Sequence, residues 1–116
     1  MNQPASSSSS DRRNQARKLI RLAAELETPG GVPLSVRTVE LSVGGAALAS
    51  PVNLKPGQSC RISIALPARP PQPMLDLRGT ITYSVLSQRD GGFRVGVQFQ
   101  ALPSAAQARL QAFMAA

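Results

Sequence analysis

The stretch VRTVELSVGGAAL, Val36–Leu48, reads as strand, polar kink, strand. Val36, Thr38 and Val39 form a β-branched run that suits a pleated backbone. Ser42 and the pair Gly44-Gly45 interrupt it, where a bulge or a close backbone approach is expected. Such a kink predicts exposed short polar side chains and free amides. Glu40 and Ser42 are two residues apart, so on an extended backbone they project from one face, with Gly45 leaving room above them for a flat or phosphorylated ligand.

Upstream lies a basic segment, Asp11–Lys18, in which Arg12 precedes Arg13-x-x-x-Arg17. Taken in order with Glu40-x-Ser42-x-x-Gly45, this segment resembles the PilZ-domain family. That family binds cyclic di-GMP through an Arg-x-x-x-Arg arm and an (Asp/Asn)-x-Ser-x-x-Gly turn. Here the acidic position is longer by one methylene. The resemblance extends from about Arg12 through Leu54-Lys-Pro-Gly-Gln58 to Arg94-Val-Gly-Val-Gln-Phe99. It implies a small all-β, six-stranded antiparallel barrel with a C-terminal helix.

With 116 residues and 42% hydrophobic content, the chain supports one domain with a modest core. The expected division is a disordered Ser-rich leader at 1–10 and a domain at 11–116, with the arm at 11–18, barrel at 19–101 and helix at 103–115. The first ten residues have neither the basic start nor the apolar centre of a secretory signal, so a cytoplasmic protein is expected, with no membrane insertion. Cys60 is the one cysteine and histidine is absent, which removes an internal disulfide and the usual structural zinc sets. The net charge of +7 is concentrated at Arg12, Arg13, Arg17, Lys18 and Arg21, which favours anionic partners.

Residues 19–26 are ambiguous. Leu19, Leu22, Ala23 and Leu26 fit a helical face, whereas Ile20, Leu22, Ala24 and Leu26 fit strand alternation. The resemblance selects a first strand from just after Arg17 to about Leu26. Pro-Gly turns at 28–33 and 51–57 bound the central strands. Cys60, Ile62, Ile64 and Leu66 alternate with polar or small residues, as on a half-buried strand. Four prolines in 67–73 exclude a ladder there. Leu75, Leu77, Ile81, Tyr83 and Val85 are predicted to point inward, with a bend allowed at Gly79. After a turn at 90–92, Phe93, Val95, Val97 and Phe99 repeat the inward pattern. Leu110, Phe113 and Met114 cluster within about one turn of a terminal helix.

From the resemblance, Arg13 and Arg17 hold phosphates and guanine faces, Glu40 and Ser42 the guanine edge, and Gly44-Gly45 the close backbone approach. An arginine at position 12 is associated in the family with a stacked pair of cyclic di-GMP molecules. The chemistry fits: guanidinium forks match phosphate oxygens and the O6/N7 edge of guanine, and a carboxylate accepts from guanine N1–H and N2–H2. The implied function is a cyclic di-GMP receptor that orders its arm on binding and signals to a protein partner. A nucleotide-free adaptor is the alternative reading, favoured by the longer Glu40. Single-stranded nucleic acid is disfavoured, since aromatics make up 3% and none is predicted to form an outward platform. Six scattered acidic residues without histidine show no acid–base pair, so no enzyme and no cofactor are expected.

Overall fold

Alternation of apolar and polar residues produces seven elements in a computed structural model that describes residues 16–68 and 70–116. Strands β1 (Ala23–Glu27), β2 (Leu34–Leu41), β3 (Gly45–Ser50), β4 (Ser59–Ile64), β5 (Leu75–Ser87) and β6 (Gly92–Phe99) precede one helix, α1 (Ser104–Ala115). The strands are all antiparallel and close into a barrel in the order β1-β2-β3-β6-β5-β4. Closure removes the free edges that a small sheet would otherwise expose. The Ser-rich leader, Arg12 and Arg13 lie outside the described residues.

Inward positions fill the barrel with branched aliphatics. Leu48, Ile62, Ile64, Ile81 and Val95 are fully enclosed, while Cys60 packs in the same core, its thiol pushed up in pKa by burial. Leu110 and Met114 of α1 join this core, and Arg109 ties the helix to the Pro-rich connection by donating to the Pro73 carbonyl at 2.7 Å. Gly30, Gly57 and Gly91 take positive φ at the three expected reversals, which favours glycine there.

Two strand expectations need correction. The first concerns the start of β1, which is Ala23 rather than a residue near Leu19. The chain from Lys18 to Leu22 does run beside β2, but a side chain replaces part of the ladder. The fully buried Thr38 hydroxyl accepts from the Leu22 amide at 2.8 Å and donates to the Ile20 carbonyl at 2.5 Å. Further out, Lys18 and Leu41 exchange both backbone hydrogen bonds, at 2.8 and 2.9 Å. The end of the arm is therefore pinned to the barrel.

The second correction concerns β5. Its inward register ends at Ile81, because the β5–β6 ladder slips between Ile81 and Tyr83. One extra residue, Thr82, reverses the alternation. Tyr83 and Val85 consequently face outward and are exposed, and Ser84 turns toward the Asn53-Leu54 connection, where its hydroxyl bonds the Leu54 amide and the Asn53 side chain. Gly79 marks a close approach: a Cβ there would lie 2.6 Å from the Gln98 carbonyl oxygen.

Candidate functional site

The Val36–Leu48 stretch forms β2, a tight turn and the start of β3, as its polar interruption predicts. The ladder irregularity lies earlier than expected, between Thr38 and Glu40, with Val39 as the extra residue. This places Leu41 inward and Glu40 outward. At the turn, Ser42 N–H donates to the Gly45 carbonyl at 2.9 Å. The Gly44 and Gly45 amides both donate to Ser42 Oγ at 3.2 Å. The expectation of free amides is thus corrected: the serine satisfies them, as short hydroxyl side chains do in turns.

Gly45 has a structural requirement of its own. A Cβ at this position would sit 2.3 Å from the Val97 carbonyl oxygen. The glycine therefore permits β3 and β6 to approach, and it also lines the cleft where clearance for a ligand is expected.

Cross-strand registers build the surface around this turn. Glu40 is opposite Ala47, Ala47 opposite Gly96, and Gly96 opposite Tyr83, giving one outward row across four strands. At about 4.8 Å per strand spacing, the row spans roughly 14 Å from Glu40 to Tyr83. Its middle is nearly flat, because alanine and glycine project little. The resulting open cleft has a volume of about 300 Å³ and is lined by Arg17, Glu40, Ser42, Gly44, Gly45, Ala47, Thr82, Tyr83, Gly96 and Gln98, among others.

Arg17 meets Glu40 at one end of this cleft, with Nη1 3.7 Å from Oε1. Glu40's side chain is 26% exposed and Arg17's 62%, so the contact is a weak, partly solvated ion pair. The adjacent Lys18 points the other way, its Nζ 5.1 Å from the centroid of the Phe113 ring on α1. One row further along the sheet, Arg37, Ala49 and Arg94 are opposite one another. The Arg94 guanidinium is raised in pKa, first by hydrogen bonding to the Tyr83 phenol and further by the carboxylates of Asp90 and Glu40, against an opposing effect of burial. Asp90 in turn accepts from Ser87 Oγ at 2.9 Å and lies 3.9 Å from Arg21 Nη2. Opposed charges therefore extend from the arm to the β5–β6 turn.

A larger hollow of about 430 Å³ lies between the Thr28–Gly31 turn and β4–β5, lined in part by Arg61, Arg78 and Glu27. It contains none of the motif residues. The smaller cleft brings together Arg17, Glu40, Ser42, Gly44 and Gly45 from two distant parts of the chain.

The family model of the PilZ domain matches residues 11–116. The chain belongs to the PilZ domain family. Solved structures agree on the fold. The inhibitor of motility MotI/DgrA of Bacillus subtilis aligns with a TM-score of 0.74 and 16% identity, over 90% of this chain and 49% of that one. YcgR of Escherichia coli, solved in complex with c-di-GMP, aligns with a TM-score of 0.71 and 15% identity, over 89% and 44%. This PilZ chain thus spans about half the length of each. The isolated PilZ domain of YcgR with c-di-GMP is matched over 89% of this chain and 88% of that one, at a TM-score of 0.66 and 16% identity. No curated protein matches the sequence. Among the described residues, no helix is long and apolar enough to cross a membrane.

Sequence reasoning missed Tyr83 as part of this PilZ cleft, because β5 alternation was extended through Thr82. The hairpin carried a usable signal. Counting back from the turn through Ser87 opposite Gly92 places Tyr83 opposite Gly96, an aromatic over a glycine, which is a recurrent cross-strand pairing.

Proposed function

We propose that this PilZ domain is a cyclic di-GMP receptor module whose arginine arm closes over the nucleotide and thereby signals to a protein partner. The observation that carries this reading is the meeting of Arg17 with Glu40, Ser42, Gly44 and Gly45 at one open cleft. Arg17 supplies a fork for phosphate or for the guanine O6/N7 edge, and Arg12 and Arg13, just upstream, add cations to the same arm. Glu40 accepts from guanine N1–H and N2–H2. Ser42 Oγ makes only long bonds to Gly44 and Gly45, so a ligand oxygen competes for those amides and for the hydroxyl. Cytoplasmic location belongs to this reading, since the second messenger is made and sensed there.

Binding exchanges the Arg17–Glu40 ion pair for contacts with the nucleotide. A small change at Arg17 then moves Lys18, which bridges to α1 through Phe113 and through a 2.7 Å bond to the Ala116 carbonyl. Such an ordering step is a familiar switching route. Arg12 extends the proposal to a stacked pair of nucleotides, whose four phosphate charges need the additional guanidinium.

One observation favours the nucleotide-free adaptor as the second reading. Arg17 and Glu40 already satisfy one another, as two groups held for a structural purpose would. Calorimetric titration with cyclic di-GMP separates the readings: the receptor releases or absorbs heat and saturates, and the adaptor does neither.

A further inference from the structure

The far end of the β5–β6 hairpin leaves the barrel. Consecutive strand residues face opposite sides of a sheet, so in a closed barrel one of each pair points into the core. Near the end of β5 this rule lapses: Val85 is 52% exposed and Leu86 74%. Both faces of the ribbon therefore meet solvent, and each carries an aliphatic side chain with no core to enter. Val52 joins them from the β3–β4 connection. Gly57 N–H donates to the Ile81 carbonyl at 2.7 Å and Leu54 N–H to Ser84 Oγ at 3.1 Å, and this antiparallel course brings the exposed Val52 alongside Leu86. The charges around the tip are of one sign. Arg89 is exposed in the turn, Arg37 and Arg94 lie on the row that ends at Val85, and Arg21 stands at the base. Asp90, the carboxylate of the turn, is directed inward against Arg21, with its side chain 1% exposed. Among the described residues the other acidic side chains lie elsewhere. Glu40 is at the motif cleft, and Glu25, Glu27 and Asp76 are grouped near the opposite end of β5, roughly 30 Å away at about 3.3 Å per residue.

From this arrangement we propose that the hairpin tip is a peripheral membrane-contact site, at which Leu86, Val85 and Val52 enter the headgroup boundary of an anionic lipid surface while the surrounding arginines meet its phosphates. The two contributions are physically distinct. Aliphatic groups gain by leaving water, and arginines near an anionic leaflet are attracted over about a Debye length. Weak signals of these two kinds hold a protein at a bilayer only in combination, and the tip presents both. Lipid is favoured over a protein groove because the ribbon is apolar on both faces. The headgroup boundary surrounds a protruding tip, whereas a protein surface covers one side of a ribbon and leaves the other aliphatic in water. The acidic group at the far end of β5 orients the domain, since an anionic surface attracts the tip and repels the acids. The contact is independent of nucleotide, because none of the three aliphatics lines the motif cleft.

The chain contains no tryptophan, so Leu86→Trp places a single reporter at the tip of the full chain. Leu86 is exposed, and thermal melts establish that its variants fold. With vesicles of mixed phosphatidylcholine and phosphatidylserine at low salt, the Leu86→Trp emission should shift to the blue and be quenched by lipids with brominated acyl chains. Neither effect is expected with phosphatidylcholine alone, and raised salt should reverse both. In cosedimentation with the mixed vesicles, Leu86→Ser should bind at least about fivefold more weakly than the parent. Arg89→Glu should weaken binding by roughly fivefold or more. The contribution of the basic arm is separated by repeating the fluorescence with Arg12→Ala and Arg13→Ala added, where the blue shift is retained. Vesicle binding with an unshifted, unquenched tryptophan assigns the attraction to charge elsewhere and overturns the proposal. A Leu86→Ser chain that sediments with the affinity of the parent overturns it as well. No binding to the mixed vesicles overturns the lipid assignment and leaves a protein groove as the occupant of the tip. Cyclic di-GMP titration of Leu86→Ser is expected to match that of the parent, so failure of the lipid contact and failure of the receptor reading are told apart.

Discussion

Arg17 of the arm and Glu40 near the end of β2 form an ion pair, Nη1 to Oε1 at 3.7 Å, at one end of the cleft that the two sequence motifs create. An exposed pair of this kind contributes about 0.2–1 kcal/mol at most. It adds little to the Lys18–Leu41 backbone bonds that pin the end of the arm, and it is weak enough for an anionic ligand to displace. Each side of the pair is therefore open to a separate test.

Glu40→Asp shortens the carboxylate by one methylene, loosens its hold on Arg17 and restores the residue type common in the family motif. Cyclic di-GMP is expected to bind this variant equally or more tightly, whereas Glu40→Ala, which removes the acceptor for the guanine edge, should bind more weakly. Neither substitution should shift the unfolding free energy by more than about 1 kcal/mol. Titration calorimetry and urea unfolding check the two statements, and unchanged affinity in Glu40→Ala places Glu40 outside the site.

Thr38 anchors the root of the arm from inside the barrel. Replacing it with valine keeps the shape but leaves the Leu22 amide and the Ile20 carbonyl without their buried partner. A loss of about 1–3 kcal/mol is expected. Faster amide exchange at Leu22 should accompany it, and wild-type protection at that amide would show that another group satisfies it.

Gly45→Ala separates strand packing from ligand clearance as the requirement for glycine at this position. The new methyl meets the Val97 carbonyl oxygen, a backbone atom that cannot swing aside. Destabilisation of about 1–3 kcal/mol is expected in the ligand-free domain. A variant as stable as the parent, with only ligand affinity reduced, would return Gly45 to its predicted role of clearing space for the nucleotide.

The barrel was legible because β4 and the first part of β5 alternate cleanly and Pro-Gly turns separate the strands. Strand rather than helix at Ala23–Glu27 followed from the family resemblance, and the burial of Leu22, Ala24 and Leu26 agrees with that choice. What could not be read was where the ladder slips. Val39 and Thr82 are both β-branched residues that suit a regular strand, so nothing in their chemistry marks an extra residue. The consequences were large at Tyr83, which a one-residue slip moves from core to cleft. An inward Tyr83, as the alternation predicts, would leave single-stranded nucleic acid no aromatic platform at all. One outward aromatic still falls short of the successive platforms that a strand of bases requires. At the turn, the motif located Glu40, Ser42 and Gly45 in one cleft but gave no sign that Ser42 occupies the glycine amides itself.

Stoichiometry distinguishes one nucleotide from a stacked pair. With Arg12 and Arg13 adding to Arg17, saturation at two cyclic di-GMP molecules per chain is expected, and Arg12→Ala should lower it towards one. Raised salt should weaken the pair more than the single ligand, because more charge contacts are screened. Saturation of the unmutated chain at one, well above the dissociation constant, would remove the stacked pair alone.

Binding by Arg17 is the central claim, and calorimetric titration of the parent chain and Arg17→Ala with cyclic di-GMP tests it most directly. Saturable binding to the parent is expected, with most affinity lost in Arg17→Ala at an almost unchanged melting temperature. Absence of binding to the parent at high micromolar ligand, or undiminished affinity in Arg17→Ala, would contradict it.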